Sequence, residues 1–258
     1  MFFIWVFAFI FGAILGSFLN VLIHRLPMGE NWVSKRSYCP KCNIPIPLYR
    51  NIPIVTYLAQ IGKCHHCKSK ISIRYPLIEL LMGICAVLLL PSDLGVDSLF
   101  NYFFLFSILC SFVVHFVVDL KHHILPDEIN IYLALLFGFY GIFHQSILHM
   151  VIGGVFGFFL PYSVAYLFYK FRGIEGLGGG DIKLFGALGL YLGVKGIILN
   201  IFMSCFLGSI VGIVLIILKA QDKNKPIAFG PFIIIAGFLQ IFFPDMVLKA
   251  TKTLGLLM

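Results

Sequence analysis

Apolar and polar positions fall into long blocks along this chain instead of alternating at a strand or surface-helix period. Eight stretches are nearly continuous in apolar residues, at about 2–22, 76–92, 98–118, 128–145, 147–170, 181–194, 197–219 and 228–244. Several approach or exceed the ~20 residues that cross a bilayer as a helix. The sixth is short and carries Gly186, Gly189 and Gly193, which predicts a tilted, broken or partly re-entrant element. Between the first two stretches lies a polar segment of about fifty residues, too small for a generous core of its own. The pattern predicts an all-α fold: a polytopic membrane helical bundle of about eight spans with a small loop domain. Residues 1–23 form the first span, 24–75 the loop domain, and 76–258 the remaining spans.

Composition supports this. The chain is 60% hydrophobic and 12% charged, where a soluble domain carries about 25% charged residues. No basic stretch precedes the first apolar run, so that run is expected to be a retained span and not a cleaved signal. Charge then orients the bundle. With the N-terminus outside, sixteen of the 19 Lys and Arg residues fall on the inner side, and only Lys195, Lys249 and Lys252 on the outer. The positive-inside rule therefore places both termini outside and the 24–75 loop in the cytoplasm. The formal charge of +8 is explained by this topology and calls for no nucleic acid. Basic loops also attract anionic lipid headgroups.

The seven cysteines divide in two. Cys85, Cys110 and Cys205 lie inside spans, where a small thiol is ordinary packing. The other four form Cys39-Pro-Lys-Cys42 and Cys64-His-His-Cys67, close to zinc-ribbon spacing. Two such pairs supply four thiolates to a closed, structural Zn²⁺ site. His65 and His66 are spare ligands. Disulfides are disfavoured on the reducing side of a membrane.

Two carboxylates carry the candidate chemistry. Asp119 closes the third apolar run and opens Asp119-Leu-Lys-His-His-Ile-Leu-Pro126-Asp127. Asp181 follows Gly178-Gly179-Gly180 and opens the sixth. An acid at membrane depth is expensive and marks function by default. On the charge-derived topology both lie at cytoplasmic ends of their spans, at similar depth. A pair of carboxylates sharing a proton can activate water against a peptide bond. Each has a plainer explanation. Asp181 is well placed to cap a helix N-terminus. Asp119 sits near a helix C-terminus, where the macrodipole disfavours negative charge, and Lys121, His122 and His123 are at hand to compensate it in a solvated ion pair. Asp127 follows Pro126 and reads as the cap of the fourth span. Glu79 lies inside an apolar run and calls for a partner or a ligand, or else snorkels to the interface. Lys183 is two residues from Asp181, so the two point to different faces of a helix.

These residues together resemble the bacterial type IV prepilin peptidases, leader peptidase/N-methyltransferases of the GxGD aspartic protease class. The likeness spans nearly the whole chain. It runs from Gly16-Ser-Phe-Leu-Asn20-Val and Arg25-Leu-Pro27 through both cysteine pairs, Asn51-Ile-Pro53 and Arg74-Tyr-Pro76-Leu-Ile-Glu79. It continues with Asp119 and Leu125-Pro126-Asp127, Gly178-Gly-Gly180-Asp181-Ile-Lys183, and Ala228-Phe-Gly230-Pro231, where Ala228 replaces a usual proline. The resemblance implies cleavage of a basic leader from type IV prepilins or pseudopilins, after glycine, at the cytoplasmic face of the bacterial inner membrane. It also implies N-methylation of the new N-terminus by S-adenosylmethionine. It maps the catalytic pair onto Asp119 and Asp181, with Gly178, Gly180, Asp127 and Lys183 around them. The methyl donor is expected near the cytoplasmic loop and Glu79, since no dinucleotide-type glycine fingerprint is present.

Two other classes compete. A proton-coupled transporter would use Asp119 and Asp181 as relay acids, but the halves show no convincing repeat. A membrane thiol oxidoreductase would use the CxxC pairs, which the charge bias places on the wrong side.

Overall fold

A computed structural model describes residues 2–33, 36–218 and 227–253. Lys35, Lys219, Lys223 and Lys225, four of the residues that orient the chain by charge, lie outside the described residues. Nine α-helices appear among the described residues: α1 (Phe2–Arg25), α2 (Val55–Ala59), α3 (Arg74–Leu88), α4 (Val96–His122), α5 (Asp127–His144), α6 (Ile147–Arg172), α7 (Gly179–Ile217), α8 (Gly230–Phe242) and α9 (Pro244–Thr253). No strand occurs among the described residues; there are two isolated bridges, Tyr38 with Pro45 and Lys63 with Lys70. The protein is an all-helical membrane protein. Four helices are individually long and apolar enough to cross a bilayer: α1 with the turn after it, α4, α6 and α7. Counting the bent pair α8–α9, which turns by 102°, as one broken span gives five among the described residues.

The chain forms two compact units, Met1–Val114 and His115–Met258. In the first, α1 packs along α3. Between two helices in lipid no water is released, so close contact must supply the attraction. Gly12 and Gly16, one turn apart, provide it. A Cβ at Gly16 would stand 2.8 Å from the Glu79 Cα, and one at Gly12 would strike the Met82 carbonyl. Asn20, one turn further, donates to the Tyr75 carbonyl at 3.1 Å. At the end of α1 Arg25 is buried, donates to the Arg36 carbonyl at 2.9 Å and lies 5.5 Å from the Tyr38 ring centre. The polar loop thus begins on a fixed anchor. Glu79 supplies a second: its carboxylate accepts the Ile54 N–H at 2.7 Å. Ile54 is a β-branched residue at φ 63°, a strained conformation that needs such a hold.

In the second unit α6 crosses α7 on glycines from both helices. A Cβ at Gly157 would lie 2.5 Å from the Phe185 carbonyl and 3.1 Å from Ile197. In a straight helix those two residues would be about 18 Å apart along the axis. The helix therefore folds back on itself, and the break is Gly193, with φ 66° and ψ −176°. The apolar stretches at 181–194 and 197–219 are its two arms. Side chains satisfy backbone groups near the break, as a broken helix in lipid requires. Gln145 donates to the Tyr191 carbonyl at 3.0 Å, and Gln240 to the Gly196 carbonyl at 3.0 Å. Asn200 donates to Gln240 at 3.1 Å.

Gly157→Leu should push the arms of α7 apart and destabilise the protein by about 1–3 kcal/mol or more. Thermal unfolding in detergent measures this. Gly138→Leu, where a Cβ meets nothing within 4 Å, is expected to be close to neutral.

Candidate active site

Asp119 and Asp181 both belong to the second unit. Asp119 ends α4 and is 4% exposed. Asp181 stands in the first turn of α7, whose cap residue is Gly178. The two carboxylates are near enough to act on each other through space. Asp119 Oδ2 and Asp181 Oδ1 are buried and have no hydrogen-bond partner among the described residues.

Each acid is held by the positive end of a helix. Asp181 occupies its own, in the first turn of α7, beside the Gly178 amide. Asp119 sits at the negative end of α4, which opposes a carboxylate. The opposition is met by α8. Its first residue, Gly230, directs its amide at the Asp119 carboxylate, so the N-terminus of α8 faces the acid. Only glycine fits there: a Cβ on residue 230 would lie 2.7 Å from Asp119 Oδ2 and 3.0 Å from Leu125. Asp119 also feels the charge of His123 nearby.

The glycines before Asp181 work by closeness, since none of the three adopts positive φ. A Cβ at Gly180 would come within 2.9 Å of the Leu125 Cβ, and one at Gly178 within 3.0 Å of Asp181 Oδ2. At Gly179 a Cβ would meet nothing within 4 Å. The third glycine is therefore packed against Leu125, a side chain at the first would displace the Asp181 carboxylate, and the second faces open space. Two polar contacts stitch α5 to the same loop. Lys183 pairs with both oxygens of Asp127, at 2.8 and 2.7 Å, which answers where the lysine two residues beyond Asp181 points. Both side chains are half exposed, so the pair orients more than it stabilises. Deeper, Asn130 donates to the Gly180 carbonyl at 3.3 Å.

Sequence reasoning missed Asn130, His115 and the role of Gly230. The signals were present. Asn130 lies one helical turn after Asp127, and His115 one turn before Asp119, both on faces that carry the acids. Gly230 was legible only as part of a motif.

Glu79 and the cysteines lie in the first unit. The Glu79 carboxylate is buried and engaged by Ile54 and Ser17. Cys39, Cys42, Cys64 and Cys67 converge, with all four sulfurs within 4.8 Å of one another. Two matching turns bring them there. The Cys39 N–H donates to the Ile44 carbonyl and the Asn43 N–H to the Cys39 carbonyl; Cys64, Ser69 and Lys68 repeat the pattern. Asn43 and Lys68, each just after a second cysteine, share φ 56°. Cys39 and Cys67 sulfurs are 3.9 Å apart. A tetrahedral thiolate site with ~2.3 Å metal–sulfur bonds needs about 3.8 Å. The Ser69 hydroxyl, 3.0 Å away, and the Ser69 amide hold the Cys67 thiol at about 6, well below the usual thiol range. The donor set fits a tetrahedral cation.

The fold and site describe a helical membrane protein with paired aspartates and a four-cysteine loop. Residues 10–92 match the bacterial peptidase A24 N-terminal domain, and residues 103–213 the type IV leader peptidase family. Among curated relatives, the prepilin leader peptidase/N-methyltransferase of Aeromonas hydrophila is 33% identical over 93% of this chain and 91% of its own. That of Pseudomonas aeruginosa is 34% identical over 92% and 90%. That of Neisseria gonorrhoeae is 34% identical over 95% and 92%. No solved structure matches the chain. The chain belongs to the type IV leader peptidase family. This membership disfavours the transporter and thiol-oxidoreductase readings.

Gly230→Ala is expected to displace the Asp119 carboxylate and slow cleavage of a prepilin peptide on the order of a hundredfold, the scale of a misplaced catalytic group. Steady-state cleavage in detergent measures it, and an unchanged rate would remove Gly230 from the site.

Proposed function

We propose that Asp119 and Asp181 are the catalytic pair of a peptidase that removes the basic leader of type IV prepilins or pseudopilins after glycine. The chain is an enzyme of two activities, leader cleavage and N-methylation, the reactions for which its relatives are named. The observation that carries the reading is the placement of two carboxylates at helix N-termini, each with one buried oxygen that has no hydrogen-bond partner among the described residues.

The chemistry follows from that arrangement. Two nearby carboxylates do not both ionise easily, so one holds a proton. The ionised one takes a proton from water as the water oxygen attacks the scissile carbonyl carbon. The protonated one donates a hydrogen bond to the carbonyl oxygen and then gives a proton to the departing amine. Gly180 lets Leu125 pack against the start of α7, the open side of Gly179 leaves room for backbone to approach, and the Asp127–Lys183 pair ties α5 to the first turns of α7. The amine freed by cleavage has an ordinary pKa near 8, so a useful fraction is neutral and able to accept a methyl group from S-adenosylmethionine. In this reading Glu79 fixes the loop turn at Ile54, and its carboxylate complements the donor's positive charge.

The same proposal includes an eight-span topology with both termini outside, in a bacterial inner membrane, and the site at the cytoplasmic face. The fold-back of α7 at Gly193, which makes two spans of one helix, supports the count. The four cysteines hold a structural Zn²⁺ in a zinc-ribbon-like loop, where the metal supplies a cross-link and no chemistry. The partners are type IV prepilin or pseudopilin substrates and the lipid bilayer.

A synthetic peptide with a basic leader, Gly-Phe and an apolar helix tests the pair. The wild type should cleave it, and Asp119→Asn and Asp181→Asn should each lose at least about a hundredfold. Both should still methylate a pre-cleaved peptide. Full cleavage by either variant would remove that aspartate from the reaction. For the loop, metal analysis should find one zinc per chain, and chelation should open residues 36–75 to protease. Unchanged protection after metal loss would refute the structural role.

A further inference from the structure

Next to the two aspartates lies a second buried polar group that the reaction as described does not use. His115 is 0% exposed, and neither ring nitrogen has a hydrogen-bond partner among the described residues. It stands on α4 one turn before Asp119, on the same face. The side chain set against it is Asn130 of α5. Asn130 is 3% exposed, and its Oδ1 is likewise buried without a partner. Its other end is committed: Nδ2 donates to the carbonyl of Gly180, the residue before Asp181. A buried donor or acceptor left unmade costs free energy. Here a ring with an unused N–H and an amide with an unused oxygen face each other.

We propose that His115 and Asn130 are positioning residues that set Asp181 against Asp119. A His115 ring N–H donates to Asn130 Oδ1, and Asn130 Nδ2 donates to the Gly180 carbonyl. The neutral imidazole has one N–H to give. The chain of two bonds links α4, which carries Asp119, to the first turn of α7, which carries Asp181. It fixes the offset between the carboxylates from below, while Asp127 and Lys183 hold the loop from the exposed side. Leu125 packed on Gly180 limits movement in the remaining direction. This proposal rests on the aspartyl-pair reading.

The role predicts a defect in chemistry rather than in substrate binding. His115→Phe keeps the ring and removes the donor. Asn130→Leu keeps the volume and removes both bonds. In the prepilin-peptide assay each should lower kcat about tenfold or more, the usual scale for a group that orients a reacting one. KM should stay within about twofold, because uniform binding is untouched. Methylation of a pre-cleaved peptide should be unchanged, and thermal unfolding in detergent close to that of the wild type reports an intact fold. His115→Gln, which restores an N–H, should recover part of kcat, where a purely space-filling role would favour Phe. The double variant should be no slower than Asn130→Leu alone. If His115→Phe fails to fold, Asn130→Leu carries the same kcat and KM comparison. A wild-type kcat in either folded variant, or losses that multiply in the double variant, would overturn the proposal. Absence of cleavage by the wild type would instead overturn the aspartyl-pair reading itself.

Discussion

The structure depends on keeping two carboxylates close together in apolar surroundings. Burial and mutual repulsion both oppose this. The protein offsets them with backbone. Asp181 begins α7 and so lies at that helix's positive end. Asp119 ends α4 at a negative end, and the first residue of α8 is brought across to face it. Much of the second unit serves that second placement. Gly230 must be glycine, Pro231 follows where its missing N–H costs nothing, and the α6–α7 crossing must be tight enough to leave α7 where α5 and α8 meet it.

At the tight helix contacts of this chain glycine recurs for one reason, contact distance. At Gly12 and Gly16, at Gly153 and Gly157, and at Gly178 and Gly180, a Cβ would meet neighbouring atoms at 3.0 Å or less. Lipid offers helices no hydrophobic reward for associating, so interfaces need close backbone approach and satisfied polar groups. Gly193 is the exception, used for a positive φ that reverses α7. The buried amides of Gln145, Asn200 and Gln240 near that reversal follow from it.

Much of this was legible in the sequence. Apolar blocks located the helices, because a membrane helix is marked by length and not by period. The two CxxC pairs marked the four-sulfur cluster, since the spacing itself brings the thiols together. Asp119 and Asp181 stood out because acids are costly where they occur. What could not be read is what depends on contacts between distant segments. Lys183 pairs with Asp127 fifty-six residues away. Gly230 reaches Asp119 from the far end of the chain. His115 and Asn130 are ordinary residues in apolar helices until folding sets them against each other and against Gly180. The α7 reversal was foreshadowed by three glycines, but which one breaks depends on packing against α6.

The most direct test of a shared site is a double-variant comparison of cleavage. Asp119→Asn, Asp181→Asn and the double variant would be assayed on one prepilin peptide with a method sensitive enough to rank the residual rates. Groups that act as one unit are strongly non-additive. The double variant should therefore be no slower than either single variant. Losses that multiply would mean that the two aspartates act independently, and would contradict the account of a single proton-sharing pair.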